Sequence, residues 1–297
     1  MKYKRIFILV SFSILLFFPK GNIYAKGKSF SNLEVSPVLS TLNLNRGEVY
    51  KGFITVINRS NTNQYIFIGV SGFRQYGETN KPKFSQKIDS ISQSIHWFSI
   101  QNSATVKTNE SIKIPYSITV PPNASSGGHF AAITIDQRDK LSKIIESIRP
   151  LFMINISGNI NISGFIKNFS TDNLFNFKSN INFNTTFENT GNIEFPPYGF
   201  IIIKNVFGQI VKIISVNRKK SLDLPESIRL YKSEFSDNSF FDTGVYSAQL
   251  VLSFGNGARI YNLNKFITFY IINPYFSFLL IIIIISIIIY ILHRKQK

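Results

Sequence analysis

The chain of 297 residues contains no cysteine. This absence excludes disulfide bonds, thiol catalysis, cysteine-ligated zinc and an anchor attached to a lipidated cysteine. Histidine is nearly absent too, since only His96, His129 and His293 occur and no two of them stand at metal-ligand spacing. No Gly-x-Ser-x-Gly elbow is present either. We therefore predict no catalytic residues, no metal site and no cofactor, and a protein that is not an enzyme.

Acidic residues are scarce, because 16 Asp and Glu stand against 33 Lys and Arg and give a net charge of +17. Such an excess favours anionic partners such as wall polymers, lipid head groups or nucleic acid. The same richness in Lys, Asn, Ile and Phe is typical of AT-rich coding, in which case the charge has no functional meaning. No recognised nucleic-acid-binding module accompanies it, so we predict no nucleic-acid partner.

Long apolar runs are confined to the two ends of the chain. At the start, three basic residues among the first five precede the apolar run 6–18, which is too short to span a bilayer as a stable helix. This pattern is typical of a secretory signal peptide. We predict a signal peptide over residues 1–25, cleaved after Ala25; a retained N-terminal anchor is the alternative.

Near the other end, residues 275–292 are almost entirely Ile and Leu, with aromatic residues and a single serine, Ser286. The length suits the hydrocarbon core of a bilayer, which is about 30 Å thick. The segment predicts a single-pass transmembrane helix that acts as an anchor. Because the tail 293–297 is basic, we expect it in the cytoplasm, with everything before Pro274 outside the cell membrane.

Between these ends the clearest pattern lies in residues 111–136. Apolar side chains occupy every second position from Ile112 to Val120, which is the alternation of a half-buried strand. Pro115 cannot donate a ladder hydrogen bond, so we expect an open side or a bulge there. Residues 121–128 form a turn rich in Pro, Ser and Gly, and alternation resumes around Ile133.

Similar short apolar segments recur along the exported part of the chain. We predict strands at 50–57 and 65–70, paired as a hairpin, and at 95–100, 151–156, 181–183, 200–204, 209–216, 246–254 and 266–272. Strands of this length and spacing indicate β-sandwiches. The predicted fold class is therefore all-β: one β-sandwich over 26–158, a membrane-proximal β-sandwich over 159–273, and a single transmembrane helix.

Two stretches do not fit this scheme. Residues 71–94 have no sustained periodicity and are predicted to form a long loop, which either binds a partner or is an ordinary connection. Within it, Phe73, Arg74 and Tyr76 are the candidate partner-binding residues. Residues 141–149 are ambiguous between a short helix and a strand.

Several sequence elements carry a resemblance to a known family. The Trp97 segment followed by "VPPNASSGGHFAAI", and later "FENTGN", "PPYGFIIIKNVFGQIV", "LPESIRLY" and "GVYSAQLVLSFGNG", resemble bacterial envelope proteins with pilus-chaperone-like immunoglobulin folds. In particular, these elements resemble the cell-surface family that interacts with WxL proteins in Gram-positive bacteria. The resemblance covers most of the exported region, and it implies that both sandwiches are immunoglobulin-like, with a binding role and no catalytic residues.

The sequence thus predicts a membrane-anchored extracellular protein that binds or scaffolds another surface protein or an anionic wall polymer of the cell envelope. The alternative is a pilus-chaperone-like assembly factor, which would complete a partner's fold through an exposed strand edge. Pro115 weighs slightly against such pairing at its own strand, because proline protects an edge.

Overall fold

A computed structural model describes residues 32–79, 81–85, 93–138, 143–177, 180–236, 243–255 and 259–295. The predicted signal peptide 1–25 lies outside these described residues. The described part consists of β-strands in four sheets, one short 3-10 helix and one long C-terminal α-helix. The sheets build two immunoglobulin-like β-sandwiches, which confirms the all-β fold class.

The first sandwich contains a four-stranded and a seven-stranded sheet. Its strands are β1 (Leu33–Ser36), β2 (Leu39–Leu44), β3 (Val49–Asn58), β4 (Gln64–Gln75), β5 (Pro82–Ser85), β6 (Phe98–Ile100), β7 (Ser103–Val106), β8 (Ser111–Thr119), β9 (Gly127–Arg138), β10 (Ile144–Ile148) and β11 (Leu151–Ile156). The smaller sheet has the order β1-β3-β8-β6. The larger has the order β2-β11-β9-β4-β5, with β10 beside β9 and β7 beside β4.

The second sandwich contains a three-stranded and a five-stranded sheet. Its strands are β12 (Gly164–Thr171), β13 (Phe175–Asn176), β14 (Asn180–Asn189), β15 (Tyr198–Asn205), β16 (Ile210–Val216), β17 (Ser227–Ser236), β18 (Gly244–Gly255) and β19 (Ile260–Ile271). The orders are β12-β14-β17 and β13-β19-β18-β15-β16.

The alternation in the sequence places the cores. In β8, Ile114 and Ile118 are buried and pack with residues of the facing sheet. In β9, Ile133 and Ile135 enter the same core, whereas Phe130 and Ala132 belong to a separate cluster on the opposite face. Both faces of β9 are therefore covered.

Pro115 has the open side that the sequence predicts. It pairs with Phe53 of β3 on one side. On the other side, β6 pairs only with Tyr116 to Ile118 of β8. Within the described residues, no neighbouring strand therefore needs a hydrogen bond from Pro115, which has no amide hydrogen to donate.

The predicted hairpin of 50–57 with 65–70 is wrong. Strand β3 pairs with β1 and β8 in the smaller sheet, whereas β4 pairs with β9, β5 and β7 in the larger one. The connection crosses between sheets around Asn58, which is fully buried and donates to the carbonyl oxygens of Thr62 (2.8 Å) and Val106 (3.1 Å). Alternation shows that each strand has a buried face but does not show which sheet it joins.

Two further sequence predictions need correction, and one open alternative is decided. Residues 93–97, which include Trp97, form the 3-10 helix, and only 98–100 are strand. The predicted loop 71–94 begins within β4, which continues to Gln75, and it contains β5. The ambiguous stretch 141–149 contains the strand β10; its first residues, like 86–92, lie outside the described part.

The C-terminal helix α1 (Pro274–Lys295) follows β19 after only two residues. Asn273 caps it, since its Oδ1 accepts from the amides of Tyr275 (3.0 Å) and Phe276 (3.3 Å), and Pro274 occupies the first helical position. The amide of Asn273 donates to Thr243 Oγ1 at 3.0 Å. Residues 274–292 are long and apolar enough to cross a membrane.

Phe183 offers a test of the second core. It is fully buried and packs on the rings of Phe169 and Phe269. We expect Phe183→Ala to lower the free energy of unfolding by about 3–5 kcal/mol, because transfer and cavity costs add. Chemical denaturation of the detergent-solubilised chain measures it. The matched control Phe266→Ala, at a side chain 66% exposed, should change stability by about 0.5 kcal/mol or less; equal losses would contradict the assignment.

Candidate binding groove between the two sandwiches

The two sandwiches meet through an apolar cluster on the outer face of the seven-stranded sheet. Phe73 of β4, Phe130 and Ala132 of β9 and Met153 of β11 pack with Leu224, which lies in the loop between β16 and β17. The Phe73 and Phe130 rings are 5.7 Å apart in an edge-to-face arrangement. This cluster is separate from both sandwich cores, and it fixes the loop of the second sandwich against the first.

Polar contacts beside the cluster join the end of β4 to the start of β17. Arg74 Nη1 lies 3.3 Å from Glu226 Oε2, and Gln75 Nε2 donates to the carbonyl oxygen of Ile228 at 2.7 Å. The amide of Leu230 donates to the carbonyl oxygen of Glu78 at 3.0 Å. Both backbone and side-chain groups therefore hold the relative position of the sandwiches.

A second backbone contact forms where β9 begins. The amide of Gly128 donates to the carbonyl oxygen of Asn192 at 2.7 Å, and Asn192 Nδ2 donates to the carbonyl oxygen of Ser126 at 3.2 Å. Gly127 has φ +110°, and a Cβ there would lie 2.2 Å from the Asn192 oxygen. Only glycine allows this approach.

An open cavity of about 380 Å³ lies at the junction. Its floor is apolar and comes from both sandwiches: Leu39, Phe73, Leu151, Met153, Leu222 and Leu224. Lys81, Lys220 and Arg229 stand among the other lining residues. Apolar walls with a few cationic groups suit an apolar group that carries or neighbours a negative charge.

A second cavity of about 600 Å³ adjoins the first, because both are lined by Ser221 and Arg229. Its charged lining residues are Arg218, Lys219, Arg229 and Lys232, with Glu78 as the acidic exception. We call the two cavities together the junction groove. One half is apolar and the other half is cationic.

Arg229 is held in the groove by a buried network. Its Nη1 donates to Asp223 Oδ1 (2.8 Å) and to the carbonyl oxygen of Leu222 (2.9 Å), and the Tyr231 hydroxyl donates to the same carboxylate oxygen at 2.6 Å. Burial raises the pKa of Asp223 although Tyr231 and Arg229 oppose the shift. Burial also raises the pKa of Tyr231. The network orients Arg229 and the loop before β17.

A buried carboxyl group also lies at the junction. Glu194 Oε1 accepts from Asn155 Nδ2 at 3.0 Å, across the two sandwiches. Within the described residues, Glu194 Oε2 and Asn155 Oδ1 are buried without a hydrogen-bond partner. Burial raises the pKa of Glu194, and the bond from Asn155 opposes the shift. A protonated Glu194 could donate to Asn155 Oδ1 and satisfy both atoms.

The structure places the three candidate residues of the sequence in different settings. Phe73 is only 2% exposed and belongs to the junction cluster, Arg74 forms the ion pair with Glu226, and Tyr76 is 56% exposed. The Lys83 ammonium lies 5.9 Å from the Tyr76 ring centre. The loop of the second sandwich is absent from the predicted site residues, although the run Arg218-Lys219-Lys220 marks it as basic.

The histidines do not form a metal site in the described residues, where no cluster of three or more His, Cys, Asp or Glu occurs. His129 is buried, its ring lies 4.7 Å from that of Trp97, and its Nε2 lies 2.9 Å from the Ser125 carbonyl oxygen. Burial lowers the pKa of His129. It is a packing residue, whereas His96 lies in the last turn of the 3-10 helix, next to Trp97.

No protein-family model and no curated protein matches this chain. Solved structures with similarity include the class 5 fimbrial chaperone CfaA (15% identity, TM-score 0.40, covering 79% of this chain and 98% of that one). The chaperone CupB2 of Pseudomonas aeruginosa is similar at 11% identity and TM-score 0.36, covering 78% and 99%. A chain of the CsuC–CsuE complex of Acinetobacter baumannii reaches 11% and 0.38, covering 79% and 98%. Likeness at these scores does not transfer a function.

Glu194 makes the junction sensitive to pH. Its raised folded-state pKa stabilises the fold fully below the unfolded value near 4.5, and this contribution is lost as pH rises through the folded-state value. Glu194→Gln cannot ionise and can still pair with Asn155. We therefore expect the variant to match the wild type in acid and to be more stable than the wild type at neutral pH, where ionisation of the buried carboxyl group is penalised.

Denaturation of the detergent-solubilised chain at both pH values measures this difference. The matched control is Glu110→Gln at an exposed glutamate, which should show no such divergence between acid and neutral pH. A Glu194→Gln effect of the same size at both pH values would contradict the role of ionisation.

Proposed function

We propose that this chain is a membrane-anchored extracellular binding protein of the bacterial cell envelope. In this proposal α1 anchors the chain in the cell membrane, the basic tail lies in the cytoplasm, and the sandwiches hold another surface protein or an anionic wall polymer. In its finer form, the proposal places the chain in the cell-surface family that interacts with WxL proteins. The sequence elements quoted above support that assignment.

The junction groove is the observation that carries the proposal. Its loop joins the end of β16 to the start of β17, and these ends pair with Gly199 and Asn189. Helix α1 instead follows Ile271, which pairs with Gly244 at the opposite end of β18. Gly199 also pairs with Leu252, eight residues along β18 from Gly244, so the loop of the groove begins about 25–27 Å above the start of the helix. It faces a partner beyond the lipid head groups.

The lining of the groove suits an extended acidic segment. A peptide or polymer with negative groups would meet Arg218, Lys219 and Lys232, and an apolar side chain would fit the neighbouring floor. The groove is preformed, because the apolar cluster and the Arg74–Glu226 and Gln75–Ile228 contacts fix its two walls. Binding would therefore cost little ordering of the protein.

Paired charge removal tests the proposal. We expect Arg218→Gln with Lys219→Gln to weaken binding to an envelope component captured by the full chain by about tenfold or more, as for the loss of charge-assisted contacts. The control Lys212→Gln with Lys265→Gln removes the same charge from exposed positions outside the groove. Binding isotherms of the chain in nanodiscs, at low and high salt, measure both.

The outcomes separate specific from general attraction. Equal weakening by the two pairs, with affinity that vanishes at high salt, would mean that net charge alone causes binding, since exposed charges are screened within about 8 Å at physiological ionic strength. A groove-specific loss that persists at high salt supports recognition in the groove. Failure to capture any component would contradict the binding function.

The second candidate function, an assembly factor, is favoured by a different observation. In the described part, β10 pairs with β9 alone, and its side chains Ile144 and Ile145 are 45% and 62% exposed. An unpaired apolar edge is suited to accept a strand of another protein through main-chain hydrogen bonds.

Edge substitutions distinguish this function from groove binding. We expect Ile144→Lys with Ile145→Lys to abolish partner capture if β10 pairs with a partner strand, because charge on an edge blocks pairing. The control Ile213→Lys changes an isoleucine that is 54% exposed on β16. Capture that survives the β10 change but not the groove change would exclude strand pairing at β10.

A further inference from the structure

The second sandwich has a well-defined end next to α1. There, Gly244 pairs with Ile271, and Tyr246 pairs with both Phe269 and Asn205. Strand β13 pairs with Tyr270 and Ile271, the last residues of β19. The β15–β16 turn and the β13 segment therefore lie at the level where the helix begins. We call this part of the sandwich the helix end.

The β13 segment exposes three large apolar side chains at the helix end. Leu174, Phe175 and Phe177 are 55%, 51% and 63% exposed. The segment is attached to β19 by backbone hydrogen bonds. The amide of Tyr270 donates to the Leu174 carbonyl oxygen (2.9 Å), and the amide of Ile272 donates to the Asn176 carbonyl oxygen (2.8 Å). The Phe175 ring also stacks on Tyr270, with ring centres 4.8 Å apart. The exposed groups sit beside the last residues before the helix.

The β15–β16 turn exposes a second apolar group at the same end. Val206 is 68% exposed and Phe207 is 83% exposed, the latter the highest value among the large apolar side chains described. The turn is ordered by Asn205, whose Oδ1 accepts from the amides of Phe207 (3.1 Å) and Gln209 (3.0 Å). Gly208, at φ +78°, completes it. These local contacts hold the turn in a conformation that leaves the Phe207 side chain exposed.

These two apolar groups flank the point where the chain leaves the sandwich. In the sheet order β13-β19-β18-β15-β16, the β13 group lies one strand from β19 and the turn lies two to three strands away on the other side. With strands about 4.8 Å apart, the groups are roughly 15–20 Å from each other. The capped junction at Asn273 and its bond to Thr243 leave no long linker to lift the sandwich.

We propose that the helix end is a bilayer-docking surface, on which Leu174, Phe175, Phe177, Val206 and Phe207 enter the interface of the membrane that α1 spans. The inference rests on the proposed anchoring by α1. A lipid surface is the occupant because the apolar groups lie at the same end of the sandwich as the apolar helix, on either side of the strand that leads into it. Aromatic and aliphatic side chains at this depth gain by burial in the head-group and acyl boundary.

The absence of cysteine from the sequence makes a direct test possible. Single cysteines replace Phe175 or Phe207 in the full chain, carry a nitroxide label, and are studied in nanodiscs. The relative access of oxygen and of a water-soluble nickel complex gives the depth of each label. Controls are Ile260→Cys, 57% exposed at the opposite end of β19, and Phe53→Cys, 50% exposed in the first sandwich. Ser286→Cys, at the middle of α1, reports whether the helix is in the bilayer.

We expect the labels at 175 and 207 to shift to preferential oxygen access, as the label at 286 does, while those at 260 and 53 keep preferential nickel access. The docking surface would be overturned, and anchoring left intact, if the label at 286 had preferential oxygen access while the labels at 175 and 207 had the same preferential nickel access as the controls. Preferential nickel access of the label at 286 would instead overturn the anchoring by α1. Spin–spin broadening at 207 without lipid access would show a second copy on this surface and overturn the lipid assignment.

Tryptophan variants provide a second measurement that needs no spin label, in case the labelled protein does not insert into nanodiscs. The chain has one tryptophan, Trp97, which is buried in the first sandwich. Phe207→Trp and Phe175→Trp should lose fluorescence in nanodiscs that contain brominated lipid, and Phe53→Trp should not. Equal fluorescence with and without bromine at positions 175 and 207 would again overturn the proposal.

Discussion

The burial of both faces of β9 is the constraint on which the arrangement of the sandwiches depends. One face carries Ile133 and Ile135 into the first core, and the other carries Phe130 and Ala132 against Leu224 of the second sandwich. Exposing the second face would return a large apolar area to water, at about 25 cal/mol per Å². The sandwiches therefore stay in contact, and the groove beside that contact keeps its shape.

Burying polar groups at the junction costs free energy of folding, so their presence there needs an explanation other than stability. A buried ion pair such as Asp223–Arg229 stabilises little relative to apolar residues of similar size, while loss of one partner costs about 3–5 kcal/mol. Stability alone therefore does not account for the pair. Its consequence is orientation, because Arg229 lines both halves of the groove and Tyr231 holds the same carboxylate.

The sequence predicts individual strands better than their partners. Alternation locates β8, β14 and β18, because a half-buried strand must alternate. It could not show that β3 and β4 lie in different sheets, since that depends on the buried side-chain bonds of Asn58. The lack of periodicity predicts Phe73 in an exposed loop, but the second sandwich covers it. Contacts between residues about 150 positions apart leave no periodic signal in the chain.

The two ends of the second sandwich have opposite demands, and the chain meets them with different residues. At the groove end, Arg218 and Lys219 remain in water, where cations are cheap to expose and attract acidic groups from a distance. At the helix end, Phe207 is exposed although burial would be favourable in a soluble protein. Docking of this end on a bilayer, as proposed, would bury Phe207 in lipid. Because β18 and β19 run between the two ends, such docking would also fix the height and the direction of the groove.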